Sequence, residues 1–248
     1  MGSEVCKAVL EAPDLELTAA IDPSLGGIGL REATGVDSDL IVNAGPESIV
    51  GAADVAVDFT HLEACRANLK TLATNGIHAV VGTSGFTEDE HASIADMFDR
   101  SNCLIAPNFA VGAVLMMRFA ELAAPLFETA EIIELHHDGK IDAPSGTSIA
   151  TAERMAKASS DWAEDPTQAE IIGGARGAAG AAGIPIHSVR MRGLTAHQEI
   201  VLGTAGQTLT LRHDSFDRSS FMPGVVLACR RIADLPGLTI GLDEALGL

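Results

Sequence analysis

The residue types best suited to chemistry are concentrated in residues 136–147, which read HHDGKIDAPSGT. His136 and Lys140 lie four positions apart across a turn that contains Gly139, and either can supply a proton. Residues 145–147 are typical of a helix start, whose free N–H groups and positive dipole end bind a carboxylate. A proton donor beside an anion cradle suits the reduction of an anionic C=N or C=C substrate. A polar loop with a serine N-cap explains the same residue types, so both interpretations stay open.

Three predicted strands end in small or polar residues, a pattern typical of ligand binding at the carboxyl edge of an open α/β sheet. Each segment alone is more often a plain loop, but three in succession favour a site where the backbone approaches a ribose or a nicotinamide. The residues at these strand ends are Asp58, Phe59, Thr60, Gly82, Thr83, Ser84, Ala106, Pro107, Asn108 and Phe109.

Asp22 is a further candidate, because it closes an alternating segment, residues 15–21, that predicts a strand. An acidic residue at this position commonly binds the ribose hydroxyls of NAD, although an aspartate before a proline is also an ordinary turn residue. Pro23 follows in place of a basic residue, so a 2′-phosphate has no obvious partner there. The sequence therefore allows NADH or NADPH and favours NADH.

The elements that must position these residues follow from the periodicity of the chain. In the first half, short apolar runs alternate with helical patterns, which indicates βαβ units and a parallel sheet. Thr87 and Glu90 are spaced as a capping box for one of the helices. Strands are predicted at residues 15–21, 54–59, 77–81 and 103–106, and helices at residues 4–10, 61–75 and 87–99.

The second half has a different pattern. Closely spaced alternating runs leave no room for crossover helices and indicate an antiparallel or mixed sheet. A Gly/Ala-rich loop, residues 173–183, precedes them. Strands are predicted at residues 130–136, 186–191, 198–202 and 208–213, and helices at residues 112–127, 145–158 and about 219–233.

These patterns predict an α/β fold class with two domains. A Rossmann-type domain with a parallel sheet, suited to a dinucleotide, is expected at residues 1–107 and 217–248. An α+β domain with a mixed sheet, suited to the substrate, is expected at residues 108–216.

Composition and charge exclude several classes of protein. The 248 residues carry 16 basic and 34 acidic side chains, and the net charge of −18 repels nucleic acid and anionic lipid. No apolar run is long enough to span a membrane and no secretory signal is visible, so we expect a cytoplasmic protein. The 4 cysteines form no CxxC pair and no metal-ligand spacing is present, so we expect reduced thiols and no metal.

Residues 134–147 resemble the signature of the 4-hydroxy-tetrahydrodipicolinate reductase family. The HHxxK block followed by DAPSGT is highly specific, and the resemblance runs over nearly the whole chain. It implies hydride transfer from NAD(P)H to ring C4 of a small dicarboxylate, with loss of the 4-hydroxyl as water, in lysine and diaminopimelate synthesis. Supporting matches lie at residues 58–60, 81–86, 106–109, 193–199 and 211–215.

The resemblance also implies roles for individual residues. His136 is expected to donate or accept a proton, Lys140 to be the second proton donor, and His137 to contact the substrate. Gly146 and Thr147 are expected to hold a substrate carboxylate. A homotetramer built through the sheet of the second domain is also implied. The residues implied in cofactor binding are Asp22, Gly82 to Ser84, and Ala106 to Phe109.

The start of the chain departs from the family pattern. The family begins with a strand and a glycine-rich loop of the form GxxGxxG, whereas this chain opens with Met1-Gly2-Ser3, which resembles only the end of that loop. The first strand is then missing, and Gly2 is the remaining cofactor-binding glycine. A misassigned start codon or a truncation would explain this. We expect such a chain to bind cofactor poorly and to be less stable than a full-length enzyme.

Two other interpretations of the whole chain compete with this one. The first is another two-domain NAD(P)-dependent oxidoreductase, such as an amino-acid or sugar-acid dehydrogenase, and the HHxxK spacing before Ser-Gly-Thr argues against it. The second is a non-catalytic binding protein that keeps the fold. The presence of both His136 and Lys140 argues against that loss of function.

Overall fold

The computed structural model describes every residue from Met1 to Leu248. The chain forms two compact units, one made of residues 1–111 with 218–248 and the other of residues 112–217. These boundaries differ by a few residues from the expected ones at 107/108 and 216/217. None of the helices is long and apolar enough to cross a membrane.

Strands and α-helices alternate in the first unit, whereas strands dominate the second. The strands are Val55–Asp58 (β1), His78–Val81 (β2), Cys103–Ile105 (β3), Thr129–His136 (β4), Ala178–Ala179 (β5), Pro185–Arg190 (β6), Ala196–Thr204 (β7), Gln207–Ser215 (β8) and Leu238–Ile240 (β9). The α-helices are Gly2–Glu11 (α1), Leu30–Thr34 (α2), Leu62–Thr74 (α3), Glu88–Met97 (α4), Val111–Ala123 (α5), Gly146–Ala158 (α6), Met222–Arg231 (α7) and Asp243–Leu246 (α8).

The first unit is built on a parallel sheet with the strand order β1-β2-β3-β9. Its short apolar strands pack with Leu69 and Leu72 of α3 in one core. The strand ends are in register, with Asp58 opposite Val81 and Val81 opposite Ile105. The segments that follow β1, β2 and β3 therefore leave the sheet at the same edge.

The N-terminus of α4 confirms the predicted capping box. The Thr87 hydroxyl accepts a hydrogen bond from the Glu90 N–H at 3.3 Å, and the Glu90 carboxylate accepts one from the Thr87 N–H at 2.8 Å. Two of the N–H groups that a helix start leaves without an intrahelical partner are thereby satisfied.

The second unit is built on a mixed sheet with the strand order β5-β6-β4-β7-β8, in which only β4 and β6 are parallel. The core side of this sheet carries Ile132, Ile186 and Ile200, which pack with Met155 of α6. Side chains alternate between the two faces of a strand, so Glu134 and His136 of β4 lie on the same face as Ile132. The predicted fold class, a parallel Rossmann-type sheet and a separate mixed sheet, is confirmed.

Some of the predicted elements are wrong. Residues 15–21 do not form a strand, because their only bridge joins Ile21 to Asn43 and a strand needs a continuous row of hydrogen-bonded partners. The Gly/Ala-rich segment is not wholly a loop, since β5 lies within it and pairs with β6. The sequence analysis also missed α2, β9 and α8, which are all short.

Candidate active site

His136 is the last residue of β4, and its ring is held by the neighbouring carboxylate on the same face. Its Nδ1 lies 2.5 Å from Oε2 of Glu134, and 17% of the His136 side chain remains exposed. Burial lowers the pKa of His136, and this effect outweighs the opposite influence of Glu134. His136 is therefore neutral near pH 7, when its Nδ1 carries the hydrogen that it donates to Glu134.

Glu134 has no exposed surface, yet it is an ionised carboxylate. Burial raises its pKa, but hydrogen bonds, with that from Arg190 the strongest, bring the pKa below its ordinary value. Arg190 binds both oxygens, with Nη1 at 2.8 Å from Oε2 and Nη2 at 2.9 Å from Oε1. The buried charge is thus paired and fully hydrogen-bonded, as a charge in a protein interior must be.

Lys140 lies in the turn that follows β4. The turn is closed by the Lys140 N–H, which donates to the His137 carbonyl at 3.1 Å. The Lys140 ammonium is 2.7 Å from Oδ2 of Asp142. A hydrogen bond from Lys140 is the main reason why the pKa of Asp142 is lowered. The lysine therefore forms an ion pair with a carboxylate on the surface of the second unit.

His137 follows His136 and is less enclosed. Its N–H donates to the Thr195 carbonyl at 3.4 Å. Its ring lies against Gly139, where an added Cβ would be 3.1 Å from the ring Nδ1. A glycine at this position therefore lets the turn pass close to the imidazole.

The N-terminus of α6 follows these groups in the sequence. Ser145 is the N-cap, and its hydroxyl accepts from the Ser148 N–H at 3.2 Å. Gly146 is the first residue of the helix, and beyond its chain neighbours and its own helix backbone no atom lies within 4 Å of the position that its Cβ would occupy. The N–H groups of Gly146 and Thr147 thus begin a 13-residue helix with open space in front of Gly146.

A buried network that the sequence analysis missed fixes this helix start to the sheet. The Ser148 hydroxyl donates to Oε1 of Gln198 on β7 at 2.8 Å, and Nε2 of Gln198 donates to the Thr151 hydroxyl at 2.8 Å. The Ser145 N–H donates to Oε1 of Glu134 at 3.2 Å. Glu134 lies two residues before His136, so strand alternation could have identified it. Gln198 and Arg190 could not be identified in this way, because their place in the site depends on how β7 and β6 are in register with β4.

The three strand ends of the first unit converge as expected. The Asp58 carboxylate is buried and accepts from the Thr60 N–H at 2.8 Å, the Thr60 hydroxyl at 2.7 Å and the Asn68 amide at 2.8 Å. The Thr83 hydroxyl donates to the Thr60 carbonyl at 2.7 Å. Asp58 and Thr83 therefore hold the loops together, and protein donors already occupy both Asp58 oxygens.

Close packing explains why residue 82 is a glycine. An added Cβ would overlap the ring of Phe59, which itself lies 5.6 Å from the Phe109 ring between centroids. The Gly82 N–H donates to the Asp58 carbonyl at 2.8 Å. Ser84 beside it is exposed. Further along the same edge, the chain runs through Ala106 and Pro107, and the Asn108 side chain accepts from the Ala110 N–H at 2.8 Å.

Asp22 and Gly2 lie in the same unit, but no hydrogen bond joins them to the strand-end cluster. Oδ1 of Asp22 accepts from the Ser24 N–H at 2.8 Å and from the Ser24 hydroxyl at 2.6 Å. These bonds lower the pKa of Asp22, with the hydroxyl contributing most. Gly2 begins α1, and beyond its chain neighbours and its own helix backbone no atom lies within 4 Å of its Cβ position.

These residues fit a dinucleotide. Small or exposed residues at the strand ends let a ribose and a nicotinamide approach the backbone. The start of α1 has no side-chain cap, and a helix start of this kind suits a phosphate. No group of three or more His, Cys, Asp or Glu side chains is placed to hold a metal ion.

Comparison with known proteins covers the whole chain. The family model for the N-terminus of dihydrodipicolinate reductase matches residues 1–109, and the model for its C-terminus matches residues 112–246. The chain belongs to the dihydrodipicolinate reductase family. It is 45% identical over 254 residues to the 4-hydroxy-tetrahydrodipicolinate reductase of Corynebacterium urealyticum, covering 100% of this chain and 95% of that one.

Two further members of the family support this assignment. The 4-hydroxy-tetrahydrodipicolinate reductase of Cutibacterium acnes is 46% identical over 255 residues, covering 100% of this chain and 95% of that one. The dipicolinate-bound dihydrodipicolinate reductase of Paenisporosarcina sp. TG-14 has a TM-score of 0.85 at 38% identity. The match covers 98% of this chain and 94% of that structure. The resemblance inferred from residues 134–147 is thereby confirmed.

Proposed function

We propose that this chain reduces 4-hydroxy-tetrahydrodipicolinate to tetrahydrodipicolinate with NAD(P)H, as a step of lysine and diaminopimelate synthesis. Membership of the reductase family over the full chain carries this assignment. The juxtaposition of His136, Lys140 and the start of α6 supplies the chemistry that the reaction requires.

The reaction consumes one hydride and one proton and releases water, so an acid must stand beside the substrate ring. NAD(P)H supplies the hydride to ring C4. We assign proton transfer to two groups, with Lys140 as the acid and His136 as a group that exchanges a proton with the substrate. His136 is neutral with its hydrogen on Nδ1, so its Nε2 is the basic nitrogen that exchanges a proton with the substrate. Lys140 is charged and donates from Nζ, after exchanging its partner Asp142 for the substrate.

The two substrate carboxylates need positive partners. We assign one to the N–H groups of Gly146 and Thr147, where the helix dipole adds a partial positive charge. His137 is the second contact that we propose. Such positioning can lower the barrier by roughly 7–11 kcal/mol, since a well-held substrate reacts as though it were intramolecular.

For the cofactor we propose a site at Gly2, Asp22 and the three strand ends. The strand-end residues are Asp58, Phe59, Thr60, Gly82, Thr83, Ser84, Ala106, Pro107, Asn108 and Phe109. NADH is the favoured form, because Asp22 carries a negative charge and Pro23 provides no cation for a 2′-phosphate.

We also propose a cytoplasmic homotetramer assembled through the mixed sheet, on the basis of the family resemblance. Ile133 and Val201 support this interface, because they are only half-buried and lie on the face opposite Ile132 and Ile200. The molar mass in solution, measured by light scattering, tests this proposal.

The replacement Lys140→Ala tests the assignment of the function. We expect it to reduce turnover of 4-hydroxy-tetrahydrodipicolinate by at least ~100-fold, because general acid catalysis is commonly worth that much. NADH affinity, measured by fluorescence titration, should stay at the wild-type value. Lys157→Ala is the matched control, because Lys157 is an exposed lysine in the last turn of α6. A Lys140→Ala variant with wild-type turnover would show that Lys140 is not the proton donor.

A further inference from the structure

The side chain of Glu134 is the most enclosed charge in the second unit, and four donors converge on it. Oε2 receives His136 Nδ1 at 2.5 Å and Arg190 Nη1 at 2.8 Å. Oε1 receives Arg190 Nη2 at 2.9 Å and the Ser145 N–H at 3.2 Å. One carboxylate thus joins the proposed proton-transfer histidine to the N-cap of the helix proposed to bind the substrate carboxylate.

We infer that Glu134, kept ionised by Arg190, is the positioning residue of this site and fixes His136 in the tautomer whose Nε2 faces the substrate. This inference rests on the proposed function of His136. An ionised carboxylate can only accept hydrogen bonds, so Nδ1 of the imidazole must carry the hydrogen. Because the bond to Glu134 uses Nδ1, Nε2 is the ring nitrogen that we assign to proton exchange.

Arg190, which pairs with Glu134, also binds the backbone of the turn that carries Lys140. Its Nε donates to the Lys140 carbonyl at 3.2 Å, and Nη2 donates to the Asp142 carbonyl at 2.6 Å. Strand register places Arg190 directly beside His136. The guanidinium therefore holds the backbone on both sides of Ile141 while it neutralises Glu134. A lysine at position 190 would keep the charge but lose this planar set of donors.

A buried ion pair alone is weak evidence for a functional role, because such pairs often contribute little net stability. Two features go beyond a structural ion pair. The carboxylate is shared with the imidazole, whose hydrogen it places, and its other oxygen binds the first residue before α6. Both partners belong to the proposed substrate site, so a change at Glu134 should alter proton transfer as well as folding.

Glu134→Gln is the direct test. All four partners donate, so the amide NH₂ must oppose one of them, and the fixed tautomer is lost. We expect kcat to fall by ~100-fold or more, while the Kd for NADH stays within about twofold, since no residue of the proposed cofactor site changes. The limb of the pH–rate profile that belongs to His136 should move to lower pH, because Glu134 raises the pKa of His136.

A second measurement needs no variant. In protein labelled with ¹⁵N-histidine, the neutral His136 ring should show a protonated Nδ1 and an unprotonated Nε2, with the signals assigned by their loss in His136→Asn. This readout stays informative if the wild-type chain fails to turn over the substrate. Such a failure would count against the proposed function, whereas an Nε2–H tautomer would overturn the positioning role.

Glu131→Gln is the matched control, because Glu131 is on the same strand but on the opposite face. Its Oε2 lies 2.7 Å from Nε2 of His187, and its Oε1 pairs with Arg176, so it forms an equivalent Glu–His–Arg group. We expect it to keep wild-type kcat and pH profile. A Glu134→Gln variant with unchanged kcat, or with reduced kcat but an unshifted pH profile and tautomer, would overturn the inference.

Discussion

At the scale of single residues, Asp22 and Pro23 are the positions where cofactor choice is most open to experiment. Asp22 keeps a carboxylate whose Oδ1 is bound by Ser24, and Pro23 is exposed beside it. A 2′-phosphate placed here would meet a negative charge without a cation to offset it. In the proposed cofactor site, these two residues therefore favour a ribose with free hydroxyls.

We predict that kcat/KM is higher with NADH than with NADPH, and that Pro23→Arg narrows the difference by ~10-fold, since one charge-assisted contact is worth roughly 1.4 kcal/mol in such a site. Steady-state rates with each cofactor measure this ratio. Pro13→Arg is the control, because Pro13 is an exposed proline that precedes an aspartate in the same unit. A wild-type preference for NADPH, or an equal effect of both arginines, would contradict the role of this position.

Most of the proposed catalytic group was predictable at this scale, because His136, Lys140 and the SGT motif lie within one stretch of chain. Glu134 is two residues from His136, so strand alternation alone could have placed both on one face. Arg190 was not predictable, since it is 56 residues from Glu134 and meets it only through the register of β4 with β6. Local patterns do not encode that register.

At the scale of elements, the start of α6 combines a stability role with a proposed substrate-binding role. Ser145→Ala removes the N-cap bond to the Ser148 N–H and should destabilise the chain by roughly 1 kcal/mol. Because the same helix start is proposed to hold a substrate carboxylate, KM for the substrate should also rise several-fold. Denaturant unfolding and steady-state kinetics measure the two effects.

Thr87→Ala separates these two effects. Thr87 caps α4 in the first unit with the same kind of bond, so its loss should cost a similar free energy of unfolding. It should leave KM for the substrate unchanged. If both variants raise KM equally, the effect reflects general destabilisation, and the start of α6 has no special part in substrate binding.

The elements that the sequence predicted well have strong local signals. The capping box defined α4, and short apolar runs defined β1, β2 and β3. Residues 15–21 alternate in polarity like a strand, yet only Ile21 has a bridge partner, so alternation without a neighbouring strand was misleading. β5 is two alanines long and carries no periodicity at all. Its pairing with β6 depends on tertiary structure.

At the scale of the whole molecule, two opposing effects decide how acid changes stability. The net charge of −18 destabilises the compact state through self-repulsion, and protonation of carboxylates relieves it. Against this, several groups of the second unit hold fewer protons when folded than when unfolded. Hydrogen bonds, chiefly from Thr167, lower the pKa of Asp165 to about 2, and the pKa of Glu134 is also below its ordinary value. Burial lowers the pKa of His136 and of His213.

Acidification lowers stability through each of these four groups. A pKa that is lower in the folded state means that the unfolded chain binds more protons as pH falls, so stability is lost on acidification. The two histidines reduce stability as the pH falls through and below 6.5, their ordinary pKa. Glu134 reduces stability at pH values below 4.5, and Asp165 does so below 3.8, which are their ordinary pKa values. We predict that the second unit loses stability steadily from pH 7 to pH 3.5, with the steepest loss below about pH 4.5.

The fluorescence of Trp162 can report on this loss of stability. Trp162 is the single tryptophan of the chain, and it packs against the core of the second unit. Its indole N–H donates to the Ser159 carbonyl at 2.9 Å, so unfolding of this unit should change its fluorescence. The urea midpoint followed by Trp162 fluorescence should fall as the pH is lowered. A midpoint that rises between pH 7 and pH 5 would mean that relief of charge repulsion outweighs the titration of these buried and hydrogen-bonded groups.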